Sequence, residues 1–197
     1  MESPSSDAER LSLIDREIGQ HKLSPAEYEI VRRVIDATAD LEYKTLIRFS
    51  AQALQAGAAA LAARTTIVVD GAMVQAGVLP TLQRTFANPV YGSLPSLSHG
   101  SDRLEELANR YPEAIFVIGE TPAALATLLK LIASEVISPA LMIYTPAAWL
   151  PQDTPKTELK QSWIPHIYSS SRKGNPIVAV AVLNALADLA WNAYGQK

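Results

Sequence analysis

Few residues in this chain have types and spacings that could do chemistry, and most of them fall where a short apolar run ends. Ile67-Val68-Val69 is followed at once by Asp70, then by Gly71-Ala72-Met73. A carboxylate there either holds a ligand or caps the turn that follows. Arg172-Lys173-Gly174 closes the last such run. Two cations and the backbone N–H groups of a tight turn suit a carboxylate or phosphate, and the same tripeptide also makes an ordinary solvated loop. Trp149 stands in a Pro-rich loop, placed to stack on a flat ligand or to pack against a partner subunit. His21, His99 and His166 are scattered rather than metal-spaced, so surface or internally satisfied roles are expected and no metal site is assigned. With no cysteine, thiolate metal sites, disulfides and a cysteine nucleophile are excluded. No Gly-x-Gly-x-x-Gly, Gly-x-x-x-x-Gly-Lys-Ser/Thr or Gly-x-Ser-x-Gly pattern is present, so no nucleotide or hydrolase motif is in play.

The chain of 197 residues, 48% hydrophobic, is comfortable for a single domain spanning 1–197. Its net charge of −3 comes from interspersed acids and bases, not the clustered positive charge that nucleic acids select. The first residues are polar and acidic, without the apolar centre of a signal peptide. The longest apolar runs read as broken short of the ~18–20 residues a membrane span needs. The expectation is a soluble cytoplasmic protein with neither nucleic-acid nor membrane partners.

The elements that must position these residues are legible from their caps. Ser24-Pro25-Ala26-Glu27 combines a serine cap, a proline at the first helical position and a glutamate able to bond back to the cap. Ile30, Val31, Val34 and Ile35 follow at helical spacing. Ser6 with Glu9, Ser50, and Asp102 with Glu105 read as further helix starts. So do Thr121-Pro122, Thr154-Pro155 and Asn175-Pro176. Between the helices lie apolar runs at Thr66–Val69, Pro89–Tyr91, Ala114–Ile118, Ala140–Tyr144 and His166–Ser169. Continuous apolar runs mark strands covered on both faces. The alternation predicts a doubly wound α/β domain: a mainly parallel, five-stranded sheet with a helical N-terminal extension. Ligands of such sheets bind outside the strand carboxyl ends, at a switch point in strand order. Asp70, Met73, Gly119, Thr121, Pro146, Trp149, Arg172, Lys173 and Gly174 all fall at those ends and are the candidate binding residues.

Leu23-Ser24-Pro25, Val34-Ile35-x-Ala37-Thr38-Ala39-Asp40, Phe49-Ser50, Ala56-Gly57, Met73-Val74-x-x-Gly77, Arg172-Lys173-Gly174 and Asn184-Ala185-Leu186 together resemble the precorrin-8X methylmutase family. The resemblance runs from Leu13 to the last helix. It implies a flavodoxin-like three-layer fold, a homodimer, no cofactor, and a pocket for a carboxylate-bearing tetrapyrrole or corrin precursor. The implied activity is that of an isomerase of cobalamin biosynthesis, moving a methyl group between adjacent ring carbons. A histidine is implied as the proton donor, and at its position this chain has Asp36. An aspartate is a poor acid at neutral pH. On the helix Asp36 falls nearly opposite the apolar stripe, with Arg32 one turn behind, and a solvated Arg32–Asp36 pair is expected. A family serine aligns with Arg10. The family's Asn-Ala-Pro-Thr reads Glu120-Thr121-Pro122-Ala123, its Gly-Phe reads Ala148-Trp149, and its second glycine after Arg-Lys gives way to Asn175-Pro176. Scaffold positions are kept while polar ones change. The sequence therefore also admits a catalytically silent paralogue that binds a tetrapyrrole or a protein partner.

Overall fold

The computed structural model describes residues 4–92, 100–148 and 153–195. Helices α1 (Pro4–Ile18), α2 (Pro25–Thr38) and α3 (Tyr43–Leu46) precede strand β1 (Ile47–Phe49) and α4 (Ala53–Ala62). Strand and helix then alternate: β2 (Ile67–Val69), α5 (Ala72–Arg84), β3 (Val90–Gly92), α6 (Gly100–Arg110), β4 (Ile115–Ile118), α7 (Ala124–Ala133), β5 (Leu141–Tyr144), α8 (Asp153–Gln161), β6 (His166–Ser169) and α9 (Pro176–Tyr194).

The strands form one sheet in the order β1-β6-β5-β4-β2-β3. Strands β2 to β6 are mutually parallel and correspond to the five runs read from the sequence. The expected count of five is corrected to six, because β1 pairs antiparallel with β6 at one edge. That strand has no local signature. It is Ile-Arg-Phe, and its ladder is made by distant partners, with Ser50 N–H donating to the His166 carbonyl at 2.9 Å and Ser170 N–H to the Leu46 carbonyl at 2.8 Å. Ser50 consequently does not cap α4, which starts at Ala53; its hydroxyl accepts the His166 N–H at 2.8 Å.

Alternation along the strands builds two cores. Ile67, Val69, Ile115, Val117, Leu141, Ile143 and Ile167 face α2, α4, α5 and α9. Val68, Phe116, Ile118, Met142, Tyr144 and Tyr168 face α6, α7 and α8. Each such side chain taken from water contributes on the order of 1.5–3 kcal/mol, which is what holds both helix layers against the sheet. Helix α2 begins as its sequence dictates. The Ser24 hydroxyl accepts the Glu27 N–H, the Glu27 carboxylate accepts the Ser24 N–H, and Ile30, Val31, Val34 and Ile35 are buried.

Helix α9 is the central helix of its layer, packed by α2, α4 and α5. Its 19 residues are long and apolar enough to cross a membrane by composition alone, longer than the sequence reading allowed. Here they are a core helix, because Val178, Val182, Leu183, Leu186 and five alanines are buried against the neighbouring elements. The Met-Val-x-x-Gly spacing of α5 has its reason in this packing. A Cβ at Gly77 would sit 2.6 Å from a Val180 methyl, so only glycine admits α9 at that distance.

Candidate functional site

The strand order reverses between β2 and β4. From β2 the chain steps outward to β3, then returns past it to β4. At this switch point the carboxyl ends of the two strands are tied by one side chain. Asp70, 6% exposed, accepts the N–H groups of Gly119 at 2.9 Å, Glu120 at 2.9 Å and Thr121 at 2.6 Å. Burial pushes the Asp70 carboxyl above its ordinary value, and the three N–H bonds pull against that shift. Asp70 neither ligates freely nor caps its own turn. It organises the β4–α7 turn, and Gly119 and Thr121 serve it as backbone donors. Beside it, Tyr144 donates its hydroxyl to the Pro122 carbonyl at 3.1 Å, and burial with the nearby Asp70 charge pushes that phenol up to about 12.

Glu120 completes the exchange. Its carboxylate accepts the N–H of Met73 in the first turn of α5 at 3.1 Å. The Met73 side chain itself is 59% exposed. Sequence reading marked Glu120 as a departure from the family but not its bond to α5; no local pattern links it to a helix 47 residues earlier.

The Arg172-Lys173-Gly174 turn is locked from several sides. Ala148 N–H donates to the Arg172 carbonyl at 3.1 Å. Lys156 Nζ donates to the Ser171 carbonyl at 2.6 Å, and the Ser169 hydroxyl to the Lys173 carbonyl at 2.6 Å. Gly174 is required by close approach, since a Cβ there would lie 2.1 Å from the Thr145 carbonyl oxygen and 2.9 Å from that of Pro146. Pro146 is thereby placed at the end of β5 against this turn. Lys173 is not an open cation. Its Nζ pairs with Asp40 and Glu42, each at 2.8 Å, and both bonds hold its pKa above the ordinary lysine value. The same bond lowers the Asp40 carboxyl. The guanidinium of the exposed Arg172 has no ion pair among the described residues, so of the two cations it is the one open to an anion. Asn175 caps α9 through its side chain, which accepts the Val178 N–H at 3.1 Å, and Pro176 takes the first helical position as expected. Trp149 lies outside the described residues. The Thr145 hydroxyl, at the end of β5, is fully buried and has no hydrogen-bond partner among the described residues.

Asp36 lies on α2 beneath α1. The expected Arg32–Asp36 pair does not form. Asp36 instead receives Arg10, Nε at 2.5 Å and Nη2 at 3.3 Å, and its side chain is 15% exposed. Arg32 turns to Glu29 and to Asp15, the latter at 3.4 Å. The correction has a simple cause: α1 folds over the polar flank of α2, and helix-local spacing cannot see a partner 26 residues away. A carboxylate engaged by a guanidinium fork is an acceptor only. Arg10 and Asp36, which the sequence resemblance set at a serine and a histidine position, are joined here by one ion pair.

His166 is a satisfied core histidine, its Nδ1 2.7 Å from the Ile164 carbonyl and its pKa lowered by burial. His21 stacks on Tyr28 with ring centroids 4.2 Å apart. His99 lies outside the described residues.

With this geometry in hand, the family profile described as "Precorrin-8X methylmutase" matches residues 7–189. The chain belongs to the precorrin-8X methylmutase family. It is 36% identical to the cobalt-precorrin-8 methylmutase of Synechocystis sp., covering 93% of this chain and 94% of that one. It is 32% identical to the enzyme of the same name from Leptospira interrogans, covering 89% and 88%. Among solved structures, precorrin-8X methylmutase from Thermus thermophilus superposes with a TM-score of 0.85 at 34% identity, covering 96% of this chain and 98% of that one.

Proposed function

We propose that this protein is an isomerase of corrin-ring assembly, binding a carboxylate-bearing tetrapyrrole outside the strand carboxyl ends and moving a methyl group between neighbouring ring carbons. The observation that carries the reading is the arrangement at those ends. Asp70 rigidifies the β2–β4 switch point, and at the same end of the sheet the locked turn after β6 presents Arg172, a cation with no ion pair among the described residues. An open sheet of this strand order admits ligands at that crevice, and a guanidinium suits a carboxylate-rich ring. Counting only the parallel strands, the order is that of flavodoxin-like sheets, so the domain reads as a flavodoxin-like three-layer fold.

The ring supplies its own electronic system for the migration, so the protein's contribution is to orient it, exclude water and deliver a proton. Met73, Thr121, Pro146 and Arg172 are assigned to the rim of the pocket, and Lys173 and Gly174 to its support. A homodimer working in the cytoplasm is the accompanying expectation, checked by light scattering of the purified protein. The decisive experiment is incubation with the methylated ring precursor, followed by absorbance as the conjugation changes. A bound and slowly isomerised ring is expected. Absence of any spectral change on mixing would refute the assignment.

A further inference from the structure

At the switch point this chain's own carboxylates take three N–H groups of the β4–α7 turn and one N–H in the first turn of α5. Asp70 holds three N–H groups of the β4–α7 turn. Glu120 lies over the first turn of α5, where its Oε1 accepts the Met73 N–H at 3.1 Å. The space above Gly71 is filled by the same side chain, since a Cβ on Gly71 would fall 2.0–2.2 Å from the Glu120 carboxyl atoms. Gly71 offers no side-chain cap to α5, so Glu120 is the group that supplies one. A carboxylate is favoured at this end of a helix, where backbone N–H groups point outward and the macrodipole is positive.

We propose that Glu120 is a specificity-determining residue that occupies the anion position at the β2–β4 switch point, so that the ring this chain accepts presents an uncharged edge there. A ring carboxylate approaching Met73 would meet a carboxylate of the protein and find the helix donor already bonded. An amidated or alkyl edge meets neither penalty, and the ring's remaining carboxylates fall to Arg172, whose guanidinium is open among the described residues. The proposal rests on the tetrapyrrole reading for its ligand but not for the geometry of the gate.

Two measurements separate the gate from that reading. The first uses acetate as the probe and the Met73 backbone amide, followed by NMR, as the reporter. In the unmodified protein that amide should not respond saturably to acetate. In Glu120→Ala it should shift along a saturable curve. Glu120→Gln serves as a second variant that keeps the bulk and loses the charge. A saturable shift in the unmodified protein, or none in either variant, overturns the gate. The second uses uroporphyrin, with eight carboxylates, against coproporphyrin, with four. Glu120→Ala should tighten uroporphyrin by about tenfold and coproporphyrin less, the tenfold corresponding to roughly 1.4 kcal/mol. Equal tightening of both, or of neither while both bind, also overturns it. If acetate behaves as stated and neither porphyrin binds any form, the gate stands and the tetrapyrrole reading falls.

Discussion

Asp70 and Glu120 hold each other's strand ends. Asp70, which follows β2, accepts the Glu120 N–H at 2.9 Å, and the Glu120 carboxylate reaches back to the helix that β2 feeds, accepting the Met73 N–H at 3.1 Å. The first bond is part-buried and belongs to a three-donor set whose Gly119 bond is buried; the second is exposed. They therefore differ in what their loss would cost.

Asp70→Asn should be destabilising although it preserves volume. An amide offers one acceptor oxygen where two served, and turns an NH2 toward backbone N–H groups. Leaving a buried donor unpaired costs about 1–3 kcal/mol. Urea unfolding should show a drop of that size at unchanged m-value. A drop smaller than about 0.5 kcal/mol would mean that the three bonds add nothing net, within the range that ordinary hydrogen bonds span.

His166 predicts a direction with pH. Its folded pKa lies below the ordinary histidine value because the ring is buried. The unfolded chain therefore binds the proton more readily. Stability is unaffected above about pH 6.5, the unfolded value, and is lost as pH falls from there through the folded pKa. Replacing the ring with a side chain that cannot titrate, His166→Gln, should remove that part of the acid sensitivity whatever its cost at neutral pH. Thermal melts of both proteins between pH 7.5 and pH 5 read the difference, and parallel curves would exclude the histidine as its source.

The two cations of the last turn should separate in function. Arg172→Gln should weaken porphyrin binding, because the guanidinium has no ion pair among the described residues. Lys173→Met should leave that affinity unchanged, because its ammonium is spent on Asp40 and Glu42. Lys173→Met should instead loosen the connection between α2 and α3, read as faster amide exchange at Glu42. Equal losses of affinity in the two variants would place Lys173 in the pocket and break the distinction.

What was legible in the sequence follows from the range of each interaction. The capping box of α2, the Asn175-Pro176 start of α9 and the five parallel strands are written in neighbouring residues, and the fold repeats them. The positions of Asp70 and Arg172 at strand ends were equally readable. Their partners were not. Asp70 meets residues 49 to 51 places on, and Lys173 meets Asp40 across 133. The edge strand β1 failed for the same reason, as its pairing depends wholly on β6.

Arg10 and Asp36 were read separately, one as a displaced serine and the other as a displaced histidine, and the structure joins them at 2.5 Å. That contact changes what a reversal experiment must do. Asp36→His alone would leave the Arg10 guanidinium beside an imidazole, where it opposes the imidazolium form that a proton donor needs. It would also break the bond this cation now makes to the Asp36 carboxylate. The single change should therefore recover little. Arg10→Ser with Asp36→His removes both obstacles together, and the pair should be non-additive. A positioned acid is worth on the order of 10²–10⁴-fold in rate. The unmodified protein is accordingly expected to turn over that much more slowly than a histidine-bearing relative. The double variant should recover at least about tenfold more than the two singles combined, with Glu120 still limiting which ring is accepted. The matching stability cycle, Arg10→Ala against Asp36→Ala, should give a coupling of about 0.2–1 kcal/mol, as expected for a half-exposed ion pair. Full-rate turnover by the unmodified protein would show that another group supplies the proton, and Asp36 would then be only the anchor that fastens α1 to α2.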